Sequence, residues 1–205
     1  MRVTRQAQHE TRSRILQAAR RLFRTRGFDA TTTRDLASAA DIATGTLFNY
    51  FPTKEAIVMT FVAEALESGR EDYTNRRRAE ATLEEDLFDL VAAGLRKLKP
   101  HRSYIRAALE TAFGPATPSQ ADPRGELSES VRVNHLEAVQ ESLARNGAAT
   151  LPPLALQLYW TLYCGVLAHW TSDRSPKQED TLALLDQSLR MFVRWLHAEQ
   201  RSSND

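Results

Sequence analysis

Cysteine is almost absent: Cys164 is the one thiol in 205 residues. That excludes an intramolecular disulfide and any multi-cysteine metal cluster, and it fits a reducing cytoplasm. No apolar signal segment opens the chain, because Met1-Arg-Val-Thr-Arg-Gln is polar, so the expected location is the cytoplasm. Runs of Val, Ile and Thr in strict alternation are missing, which removes the main signal for half-buried strands. No His pair has metal-ligand spacing, so neither a metal nor a cofactor is expected. Internal repeats and low-complexity tracts are also missing. A large positive charge is lacking too. The formal net charge is +1, too little for a protein that binds DNA unspecifically through phosphate neutralisation alone.

What is present is ordinary for a globular chain: 42% apolar and 26% charged residues, dominated by helix formers. The length can bury a core without staples, as one large domain or two small ones. The expected class is all-α, with about nine helices. Charge is unevenly spread. Residues 1–60 hold ten Lys/Arg against five Asp/Glu, and the remainder holds 17 against 21. A small basic module attached to a mildly acidic body suits contact with a polyanion.

Over residues 10–26 the apolar positions Ile15, Ala18, Ala19, Leu22 and Phe23 fall on one helix face. Gly27 can stop that helix, and Phe28 can fold back onto it. Thr32 is placed to cap a second, short helix, with Asp35 completing a capping box. Leu36, Ala37 and Ala40 face inward. Asp41-Ile42-Ala43 makes a tight turn before a third helix over 44–50. Pro52 then breaks the pattern and Thr53 can cap a fourth helix beginning at Lys54. Further helices are expected near 82–98, 103–113, 126–145, 153–171 and 178–200, with one long irregular loop over 114–123, which holds three prolines.

Three short helices, the last two joined by a tight turn, describe a helix-turn-helix. The residues narrow it further. Gly27-Phe28 with Thr31-Thr32, Leu36-Ala37 with Ala40 and Ile42, Gly45-Thr46-Leu47-Phe48-Asn49-Tyr50-Phe51 and Lys54-Glu55 closely resemble the TetR family signature, over roughly residues 10–60. The resemblance implies a DNA-binding domain over 1–53 and a helical ligand-sensing and dimerisation domain over 54–205. It implies a repressor that binds a palindromic operator as a dimer. Three positions depart from the pattern: Asp41 stands where Gly is usual, Ala43 where Ser often caps the recognition helix, and Phe48 where Tyr is usual.

Each position of the motif has its own chemistry. Gly45 lets backbone approach a base edge, and Thr44 and Thr46 offer hydroxyls and methyls. Arg34 suits bidentate reading of guanine, a contact that discriminates by about 1–3 kcal/mol. Tyr50 and Lys54 read as phosphate clamps, and Thr32 and Thr33 as contacts at a helix N-terminus. Phe48 keeps a ring for sugar or thymine methyl, and Asn49 can reach a base or phosphate. Leu47 and Phe51 read as core. The arm over residues 2–12 either tracks the DNA or is a basic tail.

Residues 151–172 contain no charged side chain. Pro152-Pro153, Gln157, Thr161, His169 and Thr171 dilute the stretch, so a buried helix is expected rather than a membrane span. With the striped last helix it is expected to pair two subunits in a four-helix bundle, through Tyr159, Leu162, Val166, Trp170, Leu185, Leu189, Phe192 and Leu196. In TetR-like proteins the region between encloses a ligand whose binding weakens DNA affinity. The resemblance implies an unidentified small effector here, near Phe61, Phe88, Val91, Leu95, Tyr104, Leu109, Phe113, His135, Tyr159 and Tyr163. His135 and His169 either face such a cavity or are satisfied core histidines.

An enzyme is the main competing class. Glu85, Asp86 and Asp89 loosely resemble the acidic magnesium-binding cluster of all-α prenyl-diphosphate enzymes, but no second cluster accompanies them and they read as a solvated helix face. Cys164, within an apolar run, suits a buried thiol better than a nucleophile.

Overall fold

Ile15, Ala18, Ala19, Leu22 and Phe23 become the buried side of the first helix, α1 (Arg5–Arg26). The computed structural model describes residues 4–113, 123–147 and 151–202. Among them the chain forms nine α-helices and two short 3-10 turns, and no strand. α1 starts five residues earlier than the apolar pattern indicates. Thr4 caps it by accepting from the Ala7 amide at 3.3 Å, and nothing between Arg5 and Ile15 breaks a helix. Most of the expected basic arm is therefore helical, and residues 1–3 lie outside the described residues. Gly27 ends α1 at φ 87°, ψ 163°, a conformation open only to glycine. Phe28 then returns onto α1, its ring 5.2 Å from that of Phe23.

Next come α2 (Thr33–Ala39), α3 (Thr44–Tyr50), α4 (Lys54–Arg76), α5 (Leu83–Leu98), α6 (Arg102–Phe113), α7 (Pro123–Arg145), α8 (Pro153–Ser172) and α9 (Glu179–Ser202). Thr53 accepts from the Ala56 amide at 3.1 Å and so sets the start of α4. Thr82 and Glu85 form a reciprocal capping box on α5. Apart from Pro123 at the head of α7, the proline-rich loop over 114–123 lies outside the described residues.

The described residues divide into two compact units: Met1–Val62 with Pro100–Ser128, and Ala63–Lys99 with Glu129–Asp205. The first unit buries an aromatic centre. Phe23 meets Tyr104 at 5.4 Å, and Phe61 stacks on His101 at 5.5 Å. Cations cover its edges, with Arg20 4.8 Å from the Phe61 ring and Lys54 4.4 Å from that of Phe28. Burial pushes the Tyr104 phenol up to about 12 and lowers His101.

In the second unit α9 packs on both α5 and α8, and α4 crosses α5 in backbone contact. A methyl added at Gly69 would come within 2.8 Å of the Gly94 Cα. The expected pairing residues of α8 and α9 turn inward instead. Tyr159, Val166, Trp170, Leu185, Leu189, Phe192 and Leu196 are buried within the chain, with Tyr159 5.5 Å from Phe192. They are core between α5, α8 and α9, and of the eight only Leu162 retains surface. The large apolar side chains that face outward are Leu154 and Leu158 on α8, with Leu182, Leu184 and Met191 on α9. His169 is exposed rather than core or cavity-facing. No helix among the described residues is long and apolar enough to cross a membrane.

Candidate nucleic-acid interface

α3 has seven residues and buries one of them, Leu47. With that side chain fixed, helical geometry turns Gly45, Phe48 and Asn49 to solvent, with Thr44, Thr46 and Tyr50 half-covered at the flanks. The turn that presents α3 depends on Asp41, at φ 54°, a left-handed conformation that Asp tolerates better than most residues. The Asp41 amide donates to Ser38 O at 3.1 Å and the Ile42 amide to Ala37 O at 3.0 Å, which closes the end of α2. Ala43 occupies the N-cap of α3 and offers no side-chain bond, as the missing Ser implies.

α2 packs on α3, and its own start is fully capped. The Thr32 hydroxyl donates to the Asp35 carboxylate at 2.6 Å and accepts from the Asp35 amide at 3.1 Å, and the Thr32 amide also donates to that carboxylate, at 2.9 Å. These bonds from Thr32, aided by Arg26 and Arg34, hold the Asp35 carboxyl below its ordinary value. Thr32 thus has its polar groups committed to the cap. Thr33 and Arg34, the next residues, remain half-covered and exposed respectively. Lys54, read as a phosphate clamp, donates to Phe28 O at 3.0 Å and to Thr31 O at 2.8 Å. Two of its three N–H groups therefore tie the α1–α2 connection to α4, leaving one for a further acceptor.

The second unit holds a pocket between α4, α5, α7 and α8 whose empty space, including the part open to solvent, is about 530 Å³. Val91, His135 and Tyr163 of the ten expected ligand positions line it. Tyr159 stands behind His135 and shares a 3.1 Å hydrogen bond with it. Phe88 and Leu95 lie elsewhere in this unit, and Phe61, Tyr104 and Leu109 belong to the first unit's core. The side chain of Phe113 lies outside the described residues. Sequence reading missed the polar rim, where Ser130 and Asn134 stand beside Glu67 and Arg70. The Arg70 guanidinium is already forked onto Glu67 at 2.9 and 3.3 Å. His135 stacks on Tyr163 at 4.0 Å, and burial pushes its pKa down to about 4, so the imidazole is neutral at pH 7. Burial likewise raises the Tyr163 phenol and takes the Cys164 thiol up to about 11.

Asp86 is the other feature that sequence reading misjudged. It is 4% exposed rather than part of a solvated face. Its carboxylate accepts from Tyr73 and Ser142, each at 2.6 Å, from Arg145 at 3.0 Å and from Asn146 at 3.4 Å. Burial alone would raise this carboxyl, but the bonds from Ser142, Tyr73 and Arg145 hold it below its ordinary value of 3.8. The neighbouring acids are used differently, Glu85 as a cap and Asp89 as the partner of Arg78 at 3.3 Å. No group of three or more His, Cys, Asp or Glu among the described residues could hold a metal ion.

The family model described as "Bacterial regulatory proteins, tetR family" matches residues 15–59. One described as "Tetracyclin repressor-like, C-terminal domain" matches residues 87–202, more than half of the chain. The HTH-type transcriptional repressor KstR of Rhodococcus jostii (strain RHA1) is 41% identical over 61 residues, 30% of this chain and 29% of that protein. The repressor KstR2 of the same strain is 47% identical over 47 residues, 23% of each chain. The alignments thus span less than a third of these relatives. Among solved structures, Thermus thermophilus FadR, a TetR family transcriptional repressor in complex with lauroyl-CoA, has a TM-score of 0.69 at 24% identity, over 89% of this chain and 93% of that one. That likeness is one of fold.

Proposed function

The chain belongs to the TetR family of bacterial regulatory proteins, and from that premise we propose that it is a sequence-specific transcriptional repressor. On this reading it acts in the cytoplasm, binds a palindromic operator as a homodimer, and is released by a small, largely apolar ligand. The observation that carries the reading is α3, a short helix that buries Leu47 and turns Gly45, Phe48 and Asn49 outward from a basic unit. A helix set in this way enters the major groove and meets base edges. Arg34 reads guanine, while Tyr50, Thr33 and the remaining donor of Lys54 fix register on phosphates.

One helix of seven residues buries too little surface for a specific site, so two copies are needed. The exposed Leu154, Leu158, Leu184 and Met191 give α8 and α9 an apolar stripe for that pairing. The effector enters the pocket between α4, α5, α7 and α8. Its walls are apolar at Leu66, Leu90, Val91 and Ala138, Arg70 is neutralised by Glu67, and His135 carries no charge. An acyl-CoA, the ligand of Thermus FadR, would bring several negative charges to a rim without an unpaired cation. An uncharged ligand of modest size matches the lining better.

The test is to select DNA fragments bound by the protein from its source genome and sequence them. The expected result is a two-fold symmetric site whose half-site centres lie about 34–36 Å apart, or a small multiple of that. Recovery of asymmetric sites without fixed spacing would count against a dimer on a palindrome.

A further inference from the structure

Resting on that DNA-binding reading, we infer that Phe48 is a specificity-determining residue that reads the 5-methyl group of a thymine in each half-site. Among the described residues of the first unit, Phe48 is the one large apolar side chain left exposed, at 47%. The other phenylalanines whose side chains are described there, Phe23, Phe28, Phe51 and Phe61, are all buried. An exposed ring on a helix otherwise surfaced by Thr, Asn and Tyr loses burial energy that only an apolar partner can restore.

The chemistry of the neighbours selects that partner. No charged residue occurs between Asp41 and Lys54, so α3 has neither a cation for guanine O6 and N7 nor a carboxylate for the cytosine amine. Phe48 has no donor or acceptor, so it can bond neither a phosphate nor a base edge. The one apolar group that base pairs display in the major groove is the methyl of thymine. Thr44 and Gly45 stand one turn before the ring. A Cβ at Gly45 would meet nothing within 4 Å, so the space beside the ring on that side is open. Asn49, next in the chain and also exposed, has the amide that pairs with adenine N6 and N7. The base pairs under α3 are accordingly A·T, and guanine recognition is left to Arg34 on α2.

The operator recovered by genomic selection is prepared as two duplexes of one sequence, with thymine or with deoxyuridine, which pairs identically but lacks the methyl. Fluorescence anisotropy then compares wild type, Phe48→Ala and Phe48→Tyr on both, with a scrambled duplex alongside. Wild type is expected to bind the deoxyuridine duplex about tenfold more weakly, summed over two half-sites. Phe48→Ala is expected to lose a similar factor on the thymine duplex and most of the discrimination between the two, while Phe48→Tyr, which keeps the ring, still discriminates. Equal binding of both duplexes by wild type, or discrimination by Phe48→Ala as strong as that of wild type, would overturn the inference and leave operator binding standing. Absence of any preference for operator over scrambled duplex would overturn both readings. Because position 48 is exposed, far-UV circular dichroism of the three proteins should coincide.

Discussion

Asp86 and His135 differ from their neighbours only in which way the helix turns them, and each has a measurable consequence. Asp86 lies one position before Leu87 and four before Leu90, both buried, so its inward orientation was readable from the periodicity of α5. Grouping it with Glu85 and Asp89 as an acidic cluster hid that signal. What no sequence shows is that Ser142 and Arg145, some 60 positions away, supply its partners. Replacing Asp86 with Ala leaves Tyr73, Ser142 and Arg145 with unmet donors, and about 3 kcal/mol of stability should be lost in urea unfolding. The carboxyl is depressed in the folded chain, so its contribution is complete above the ordinary value of 3.8 and disappears as the pH falls through the folded value. His135 behaves in the opposite chemical sense with the same direction of loss. Its folded value of about 4 lies below the ordinary 6.5, so the unfolded chain binds more protons between them and stability falls as the pH drops from 6.5 toward 4. The full shift corresponds to roughly 3 kcal/mol, reduced by the partial exposure of the ring at the pocket. As pH falls through that window, the urea midpoint of wild type should drop relative to that of His135→Phe, which has no imidazole to protonate.

At the scale of the element, capping residues made most boundaries legible. Thr32, Thr53 and Thr82 each hold a helix start through a hydroxyl, and Gly27 and Asp41 take the positive φ that their turns require. α1 was misjudged because its first ten residues carry no apolar stripe, and Thr4 as a cap needs no such stripe. Ala43 is the one start in the head with an extended backbone, φ −69° and ψ 148°, and no side-chain bond. Ala43→Ser should therefore stabilise the first unit by about 1 kcal/mol, seen as slower amide exchange across α3. The apolar stripe of α9 was equally visible in the sequence, but a stripe does not say whose surface covers it. α5 and α8 of the same chain cover Leu185, Leu189, Phe192 and Leu196, and the apolar surface that α9 leaves exposed is the less conspicuous one around Leu182, Leu184 and Met191.

For the whole molecule, the all-α architecture and the basic N-terminal region were open to sequence reasoning, because helical period and charge are local properties. The pocket was not, since its walls come from α4, α5, α7 and α8, and only Val91, His135 and Tyr163 were anticipated. Assembly separates the two surfaces of α9 by experiment. Met191, 68% exposed, should accept Glu without loss of helix content while the dimer dissociates in sedimentation and operator affinity falls. Leu189, at 4%, should not accept Glu at all: an unpaired buried charge costs several kcal/mol, and unfolding rather than monomerisation is expected.

The central claim is that α3 and Arg34 read sequence, and the ratio of two affinities measures it most directly. Titrating the wild-type protein against its selected operator and a scrambled duplex of equal length and composition, at one physiological salt concentration, should give operator binding tighter by about 10³-fold or more. Equal affinities, falling together as salt is raised, would mean that the protein meets DNA only as a polyanion, and would contradict the account.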